Sequence, residues 1–237
     1  MNEDLDLIPL GESPQEACPY LNDRNASLSY ACGFSRRPES FDDILAHGYR
    51  RSGVVFYRPC CPDGCRECIP IRIPVERFRP SKSQRRLLKR YRDAIRVDVT
   101  RPRLDPEHVA LFNRHARFVS DTATQLGERQ YFEFLLESGV ETMQFEYSVE
   151  DELLGVGFLD LGKRSASSIY FFWEPGLKRY SPGTYSCLTE IEWCREHGYE
   201  HYYLGYWIED CPSMSYKDRF QPFELMDWSG RQWTEPD

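Results

Sequence analysis

The sequence lacks any long apolar run. No stretch approaches the roughly 20 consecutive apolar residues that a membrane-spanning helix needs, and the acidic start, Met1–Asp6, is not followed by the apolar segment of a signal peptide. Disorder is excluded as well, because 41% of the residues are hydrophobic and 14% are aromatic. The odd number of cysteines, nine, favours reduced thiols. These features predict a folded cytoplasmic protein that makes no use of a membrane.

A second pair of closely spaced cysteines is also missing. Cys61, Cys65 and Cys68 surround the turn Pro62–Gly64, and thiolates at this spacing can converge on one tetrahedral ion, with Cys18 as a remote fourth ligand. No second Cys-x2-Cys pair follows to complete the pattern of a zinc module. Two interpretations therefore stay open, a structural metal site and a turn of small buried thiols.

Positive charge is concentrated in one segment of an acidic chain. Residues 50–103 contain sixteen Lys and Arg and five Asp and Glu, a net charge of +11, whereas the whole chain has a net charge of −8. From Ser81 the segment has an amphipathic helical pattern in which Leu88, Tyr91 and Ile95 share a face. Basic side chains line another face: Lys82, Arg85, Lys89, Arg92 and Arg96. Such a face is often only solvated, but this density of charge favours nucleic-acid binding.

Hydrophobic periodicity predicts a protein of the α+β class. Before residue 104 it predicts strands over 28–34, 54–58 and 69–75 and a short helix over 40–47. The prolines of the third strand favour a place at a sheet edge. After residue 104 it predicts helices over 105–118, 128–137 and 184–197, and strands over 142–149, 153–161, 167–173 and 202–208.

The order of these later elements resembles the N-acetyltransferase-like (GNAT) fold. Two helices, an antiparallel meander, a glycine-containing loop that opens a helix and a further strand follow one another in that fold. We therefore expect a smaller α/β N-terminal part, residues 1–103, and a GNAT-like domain, residues 104–237.

The loop Ser181–Gly183 has a specific role open to it. Amides at the start of a helix can bind a phosphate or a carbonyl oxygen. Ser181 is positioned to cap the helix, and Gly183 permits a ligand to approach the backbone. The alternative is a plain connection between a strand and a helix.

A series of short motifs resembles one known family along nearly the whole chain, from about residue 18 to 228. The motifs are Cys18-Pro-Tyr-Leu, His47-Gly-Tyr-Arg-Arg-Ser-Gly, Tyr57-Arg-Pro, Cys65-Arg-Glu-Cys-Ile-Pro-Ile-Arg, Phe78-Arg-Pro-Ser-Lys-Ser-Gln-Arg-Arg, Ser181-Pro-Gly-Thr-Tyr, Tyr203-Leu-Gly-Tyr-Trp-Ile and Met214-Ser-Tyr-Lys. Their order is similar to that in the aminoacyl-tRNA–protein transferases, the bacterial aspartate/glutamate leucyltransferases and the related arginyltransferases. This resemblance implies aminoacyl-tRNA and proteins with N-terminal Asp or Glu as partners, and neither DNA nor a membrane.

The implied reaction transfers an amino acid, leucine by the bacterial type of these motifs, from tRNA to a protein's N-terminal amine and creates a degradation signal. The ester is already activated, so the enzyme mainly has to position two substrates and stabilise an oxyanion, without a required cofactor. The expected donors and proton carriers are Tyr206, Tyr216 and Lys217, with Ser181, Gly183 and Thr184 as the loop that binds the ester. Lys82, Arg85, Arg86 and Lys89 are expected to bind the tRNA.

Recognition of an acidic acceptor requires a cation. The forked guanidinium of arginine binds a carboxylate best, so Arg50 and Arg51 are the first candidates and Lys217 is the next. Adjacent residues of a strand point to opposite faces, so we expect one arginine to reach the acceptor and the other to serve tRNA or an internal carboxylate.

Two departures and three alternatives complete the prediction. Leu21 stands where eukaryotic relatives complete a CxxC, which weakens the case for an iron–sulfur cluster, and Pro182 replaces a leucine of many relatives. Arginine instead of leucine is an alternative donor. A non-catalytic RNA-binding module would leave the loop and Lys217 unexplained, and an acyl-coenzyme A enzyme would leave the +11 segment unexplained.

Overall fold

The computed structural model describes Leu5 and residues 7–33, 38–229 and 231–236. The predicted α+β class is confirmed. The helices are α1 Pro38–Ala46, α2 Lys82–Tyr91, α3 Pro106–Val119, α4 Glu128–Tyr131, α5 Pro182–Glu196 and α6 Pro212–Ser215. The strands are β1 Leu7–Glu12, β2 Glu16–Ala17, β3 Asn25–Ala26, β4 Leu28–Gly33, β5 Arg50–Ser52, β6 Val55–Pro59, β7 Ile69–Pro74, β8 Ile95–Thr100, β9 Glu141–Val149, β10 Glu152–Leu161, β11 Ser165–Trp173, β12 His201–Trp207, β13 Glu224–Met226 and β14 Trp233–Thr234.

The strands form two main sheets. A four-stranded antiparallel sheet has the order β1-β4-β6-β5, and an eight-stranded sheet has the order β14-β13-β7-β12-β11-β10-β9-β8. Within the large sheet, β11 and β12 are parallel and the other described pairs are antiparallel. The two sheets divide between Pro59 and Ile69, so the boundary expected at residue 103 does not coincide with the division between sheets.

Strand β7 lies inside the large sheet and not at its edge. It pairs with β12 along its whole length and with β13 only at Ile71 and Arg72. The expectation of an edge strand, drawn from Pro70 and Pro74, was wrong. Both prolines lie outside the short contact with β13, so their missing N–H groups cost that pairing nothing.

The large sheet is covered on both faces. Helix α5 packs on one face through Leu188 and Ile191, together with Ile71 and Ile73 of β7. Helices α3 and α4 cover the other face, where Phe112 and Tyr131 pack with β10 and β11. Strand β10 serves both layers, since Leu154 faces α5 while Val156 and Phe158 face α3, which explains its nearly continuous burial.

Two predicted helices differ from the structure. The basic helix α2 ends at Tyr91, and Ile95 opens strand β8, so Arg96 lies on a strand and pairs with Asp98. The segment predicted as a helix over 128–137 is the short α4 followed by a π-helical turn, Phe132–Leu136.

The π-helical turn contacts the four-stranded sheet. The carbonyl of Phe134 accepts a hydrogen bond from the Gly53 amide at 3.1 Å. A Cβ on Gly53, whose φ is +57°, would lie 2.5 Å from the carbonyl oxygen of Glu133. Only glycine permits this approach of two backbones.

Across the described ranges, no helix combines the length and the apolar character that crossing a membrane requires.

Candidate active site

Strands β11 and β12 part from each other in the middle of the large sheet. Their parallel pairing covers only three positions, Ser165–Ser167 with His201–Tyr203, although both strands continue beyond it. Gly205, with a φ of +86°, interrupts the register between β12 and β7 at the same level. The parted strands leave a gap that side chains from other elements enter.

Arg50 of β5 fills part of this gap. Its Nη1 donates to Ser167 Oγ at 2.6 Å, and its Nη2 donates to the carbonyl of Ser168. A Cβ at Gly205 would lie 3.2 Å from the guanidinium carbon, so glycine is what allows the arginine to lie against β12. Arg50 is buried, and no described carboxylate forms an ion pair with it.

Arg51 points to the opposite face and is fully occupied. Its Nε and Nη2 donate to the two carboxylate oxygens of Asp160 at 2.5 and 2.9 Å, and its Nη1 donates to the carbonyl of Gly53. Both side chains of the pair are fully buried. Arg51 is therefore bound to an internal carboxylate, which removes it as a candidate for the acceptor and leaves Arg50.

Lys217 approaches the gap from the segment that follows β12. Its Nζ donates to the carbonyl of Tyr206 at 2.5 Å and lies 3.5 Å from Met214 Sδ. Burial lowers the pKa of Lys217 from 10.5 to about 7, and the nearby cation of Arg50 acts in the same direction. Lys217 has no ion pair with a described carboxylate. Two cations thus lie buried together without an acidic partner from the described part of the chain.

The two predicted catalytic tyrosines have different surroundings. The hydroxyl of Tyr206 donates to the carbonyl of Gly48 at 2.8 Å, which ties β12 to the N-terminal part. Tyr216 instead lines a cavity with Ser181 and Thr184. Burial raises the pKa of both phenols, so both are protonated donors at neutral pH.

The loop at residues 181–183 keeps its backbone accessible. Ser181 adopts a left-handed conformation, with a φ of 51°, and makes no side-chain cap for α5, contrary to the expected cap. The position of a Cβ on Gly183 would meet no atom within 4 Å. The first amides of a helix lack partners within it, so those of Gly183 and Thr184 are suited to bind an oxygen atom.

The basic helix and this loop face one cavity of about 690 Å³. Ser81 and Gln84 form a capping box at the start of α2, and Gln84 Nε2 donates to the carbonyl of Arg219 across the cavity wall. Tyr91 fixes the other end of the helix through a 3.0 Å bond to the carbonyl of Arg179. The predicted tRNA residues Lys82, Arg85, Arg86 and Lys89 are exposed. None of the four forms an ion pair with a described residue.

The four cysteines proposed as metal ligands lie in the wall of a second cavity, of about 540 Å³. Burial and the neighbouring thiols of Cys61, Cys18 and Cys65 raise the pKa of the Cys68 thiol to about 12, which disfavours the thiolate that a metal requires. Over the described ranges, no three His, Cys, Asp or Glu side chains stand where they could hold a metal ion. As arranged, the thiols do not fit a metal.

Sequence reasoning missed Glu190. This carboxyl is fully buried in α5, accepts a 2.7 Å bond from Tyr202, and leaves Oε1 without a described partner. Burial raises its pKa to about 7. Its helical spacing from Cys187 and Cys194 already places it on the apolar face, which is the signal that could have found it.

Comparison with known proteins gives concordant matches. Residues 107–227 match the model "Arginine-tRNA-protein transferase, C terminus", and residues 16–86 match the model for the N terminus of the same family. The chain is 39% identical over 221 residues to the aspartate/glutamate leucyltransferase of Chromohalobacter salexigens, covering 91% of this chain and 88% of that protein. It is 35% identical over 234 residues to the namesake from Saccharophagus degradans, covering 97% and 98%.

A solved structure shares the fold at low identity. The crystal structure of FemX superposes with a TM-score of 0.52 at 11% identity, covering 78% of this chain and 65% of that chain. At this identity the likeness concerns the fold alone.

Proposed function

The chain belongs to the arginine-tRNA–protein transferase family, and we propose that it transfers leucine from leucyl-tRNA to the N-terminal amine of proteins that begin with Asp or Glu. The relatives that match over nearly the whole chain carry the name aspartate/glutamate leucyltransferase. Transfer of arginine by the same mechanism is the alternative that the family name raises.

The observation that carries this proposal is the pair of buried cations, Arg50 and Lys217, in the gap between β11 and β12. A buried charge without a partner is costly, and a bound carboxylate would remove that cost. The side chain of an N-terminal Asp or Glu brings such a carboxylate. Arg50 still has N–H groups beyond the two that bind Ser167 and Ser168, so it can hold both the sheet and the acceptor.

Lys217 is suited to take a proton from the acceptor. The amine must lose its proton before it attacks, and N-terminal amines have pKa values near 7.7–8.0. Lys217, with a pKa of about 7, is largely neutral at that pH and can accept the proton. Once charged, Lys217 lies beside the carboxylate held by Arg50.

In the transfer itself, the amine nitrogen attacks the ester carbonyl, a C–N bond forms, and the C–O bond to the ribose breaks. We assign the amides of Gly183 and Thr184 to the developing oxyanion. Tyr216, a protonated donor on the same cavity, is placed to give its proton to the departing ribose oxygen. The exposed charges of α2 bind the tRNA next to this cavity.

We assign a GNAT-like fold to the C-terminal half. The support is the order of α3, α4, β9–β11, α5 and β12, the parted parallel strands, and the likeness to FemX. A structural zinc ion or iron–sulfur cluster at Cys61, Cys65 and Cys68 remains a prediction, since it would require these thiols to rearrange. Metal analysis of protein purified without air tests it.

Acceptor choice tests the function. The purified protein is mixed with tRNA carrying labelled leucine and with peptides that begin with Asp, Glu, Asn or Gln, and label in the peptide is counted. We expect the acidic peptides to be modified and their amides to be disfavoured by a factor on the order of 10⁴, because the amides leave the cations unpaired.

Two arms complete this experiment. tRNA charged with arginine tests the alternative donor, and acetyl-coenzyme A with the same peptides tests an acyl-coenzyme A enzyme. Equal turnover of Asp and Asn peptides would contradict the acceptor site, and transfer from acetyl-coenzyme A alone would contradict the proposed function.

A further inference from the structure

The cavity of about 540 Å³ opens onto the gap that holds Arg50 and Lys217. Ile169 and Tyr170 line it from β11, and Tyr206 and Ile208 line it at the end of β12. Tyr206 is also the residue whose carbonyl binds Lys217. A group seated in this cavity therefore lies next to the proposed reaction centre.

Aromatic and aliphatic side chains form much of the wall, and its charges are already paired or exposed. Among the described lining residues, Glu16 and Glu67 are the carboxylates. Glu67 is paired with Arg24 at 3.2 Å, and Glu16 is exposed on strand β2. A guanidinium in this cavity would find no free buried carboxylate, and it would lie near the unpaired cations Arg50 and Lys217.

Volume does not explain a choice between leucine and arginine. A cavity of about 540 Å³ is within the range of roughly 300–1,000 Å³ that holds whole small molecules, so either side chain fits. Charge does distinguish them, because an isobutyl group gains from an apolar wall whereas a guanidinium loses its hydration without finding a partner.

We propose that this cavity receives the side chain of the donor amino acid and selects leucine over arginine by charge and not by size. The proposal rests on the proposed function, because it supposes an aminoacyl-tRNA whose ester lies at the gap. Its specificity-determining residues are Ile169 and Leu21, which line the cavity from β11 and from the N-terminal part.

The wild-type protein provides the first test. tRNA is charged with leucine, with arginine, or with citrulline, a neutral side chain of nearly the same shape as arginine, and transfer to one Asp peptide is compared. We expect leucine to be transferred fastest and citrulline at least about tenfold faster than arginine. Citrulline transfer no faster than arginine transfer would overturn selection by charge. Absence of transfer from any donor would instead contradict the proposed function.

Matched variants locate the selection. Ile169→Glu adds a carboxylate to the wall, and Ile169→Gln adds the same shape without the charge. We expect the ratio of arginyl to leucyl transfer to be at least about tenfold higher in the Glu variant than in the Gln variant. The exposed substitution Val119→Glu, on the far end of α3, should leave the ratio at its wild-type value.

A second pair guards against misfolding. Leu21→Glu and Leu21→Gln repeat the comparison on the other wall, with melting curves for every variant. Folded Glu variants that keep the donor ratio of their Gln partners overturn the proposal, and so does a change in acceptor preference without a change in donor ratio. If no Glu variant folds, the citrulline comparison decides.

Discussion

At the scale of single residues, the buried charges fall into two groups. Arg51 and Asp160 satisfy each other, and Thr142 adds a 2.6 Å bond to the same carboxylate. Arg50 and Lys217 have no such partner in the described part of the chain. The first group stabilises the fold, and the second keeps a site ready for an anion, so substitutions in the two groups should have opposite effects on stability and activity.

Removal of Arg51 should unfold the protein readily. Arg51→Met leaves the Asp160 carboxylate buried without its cation, which costs about 3–5 kcal/mol in free energy of unfolding. Urea unfolding measures this loss. Arg24→Met, which breaks the exposed pair with Glu67, is the matched control and should cost about 1 kcal/mol or less. Equal small losses in both variants would show that the buried pair has no structural role.

Removal of Lys217 should instead stabilise the protein in a pH-dependent way. Because the pKa of Lys217 is about 7 in the folded protein and near 10.5 in the unfolded chain, the unfolded chain binds more protons between these values. The free energy that this group costs is thus full below pH 7 and disappears as the pH rises towards 10.5.

Urea unfolding of Lys217→Met and wild type at pH 6 and pH 9 measures this effect. We expect the variant to gain most over wild type at pH 6, and transfer activity to be lost at both values. A stability difference that is independent of pH would contradict the lowered pKa.

At the scale of elements, local signals predicted more than pairing did. Helix α3 begins where Asp105 accepts a 2.9 Å bond from the Glu107 amide, and α5 follows its proline and apolar spacing, so both could be predicted from neighbouring residues. Strand β8 and the interior place of β7 could not, because each depends on partners more than 40 residues away.

The candidate site shows the same division. Arg50 and Lys217 could be named from their motifs, whereas the contacts of Arg50 with Ser167, Ser168 and Gly205 depend on how the strands part. No local pattern encodes that geometry. Arg50 and Arg51 illustrate the limit, since alternation along β5 predicted opposite faces but not which face holds the carboxylate.

The basic helix α2 yields a prediction at this scale. If Lys82, Arg86 and Lys89 contact phosphates, replacing all three with Gln should lower the slope of log affinity against log salt by about 0.7–0.9 for each phosphate that no longer has a cation beside it. Binding of uncharged tRNA at several salt concentrations measures the slope. The triple variant of Arg117, Arg129 and Lys163, exposed elsewhere, is the control and should keep the wild-type slope. An unchanged slope in the α2 variant would show that this face is only solvated.

At the scale of the whole molecule, one sheet unites both halves of the sequence. Strands β7 and β8 precede residue 104, yet they lie on either side of the strands that follow it. Ile71, Ile73 and Val75 have no exposed surface at all, so the core on the α5 face includes the N-terminal half. The parts are therefore expected to fold as one cooperative unit.

Separation of the halves should abolish folding. The fragment 104–237 lacks β7 and exposes the edge of β12, so we expect no cooperative urea transition from it alone. Co-expression with the fragment 1–103 should restore a transition and the transferase activity. A sharp two-state transition of fragment 104–237 by itself would contradict the shared core.

The position of β7 also matters while the chain is being made. Its residues leave the ribosome before residue 75, but its partner strands β12 and β13 appear only after residue 200. At about 5–20 residues per second, this delay is on the order of ten seconds. During that time an apolar strand, Ile69–Pro74, has neither neighbour. Its two prolines, which lack N–H groups for pairing, make this waiting strand a poor template for other nascent chains.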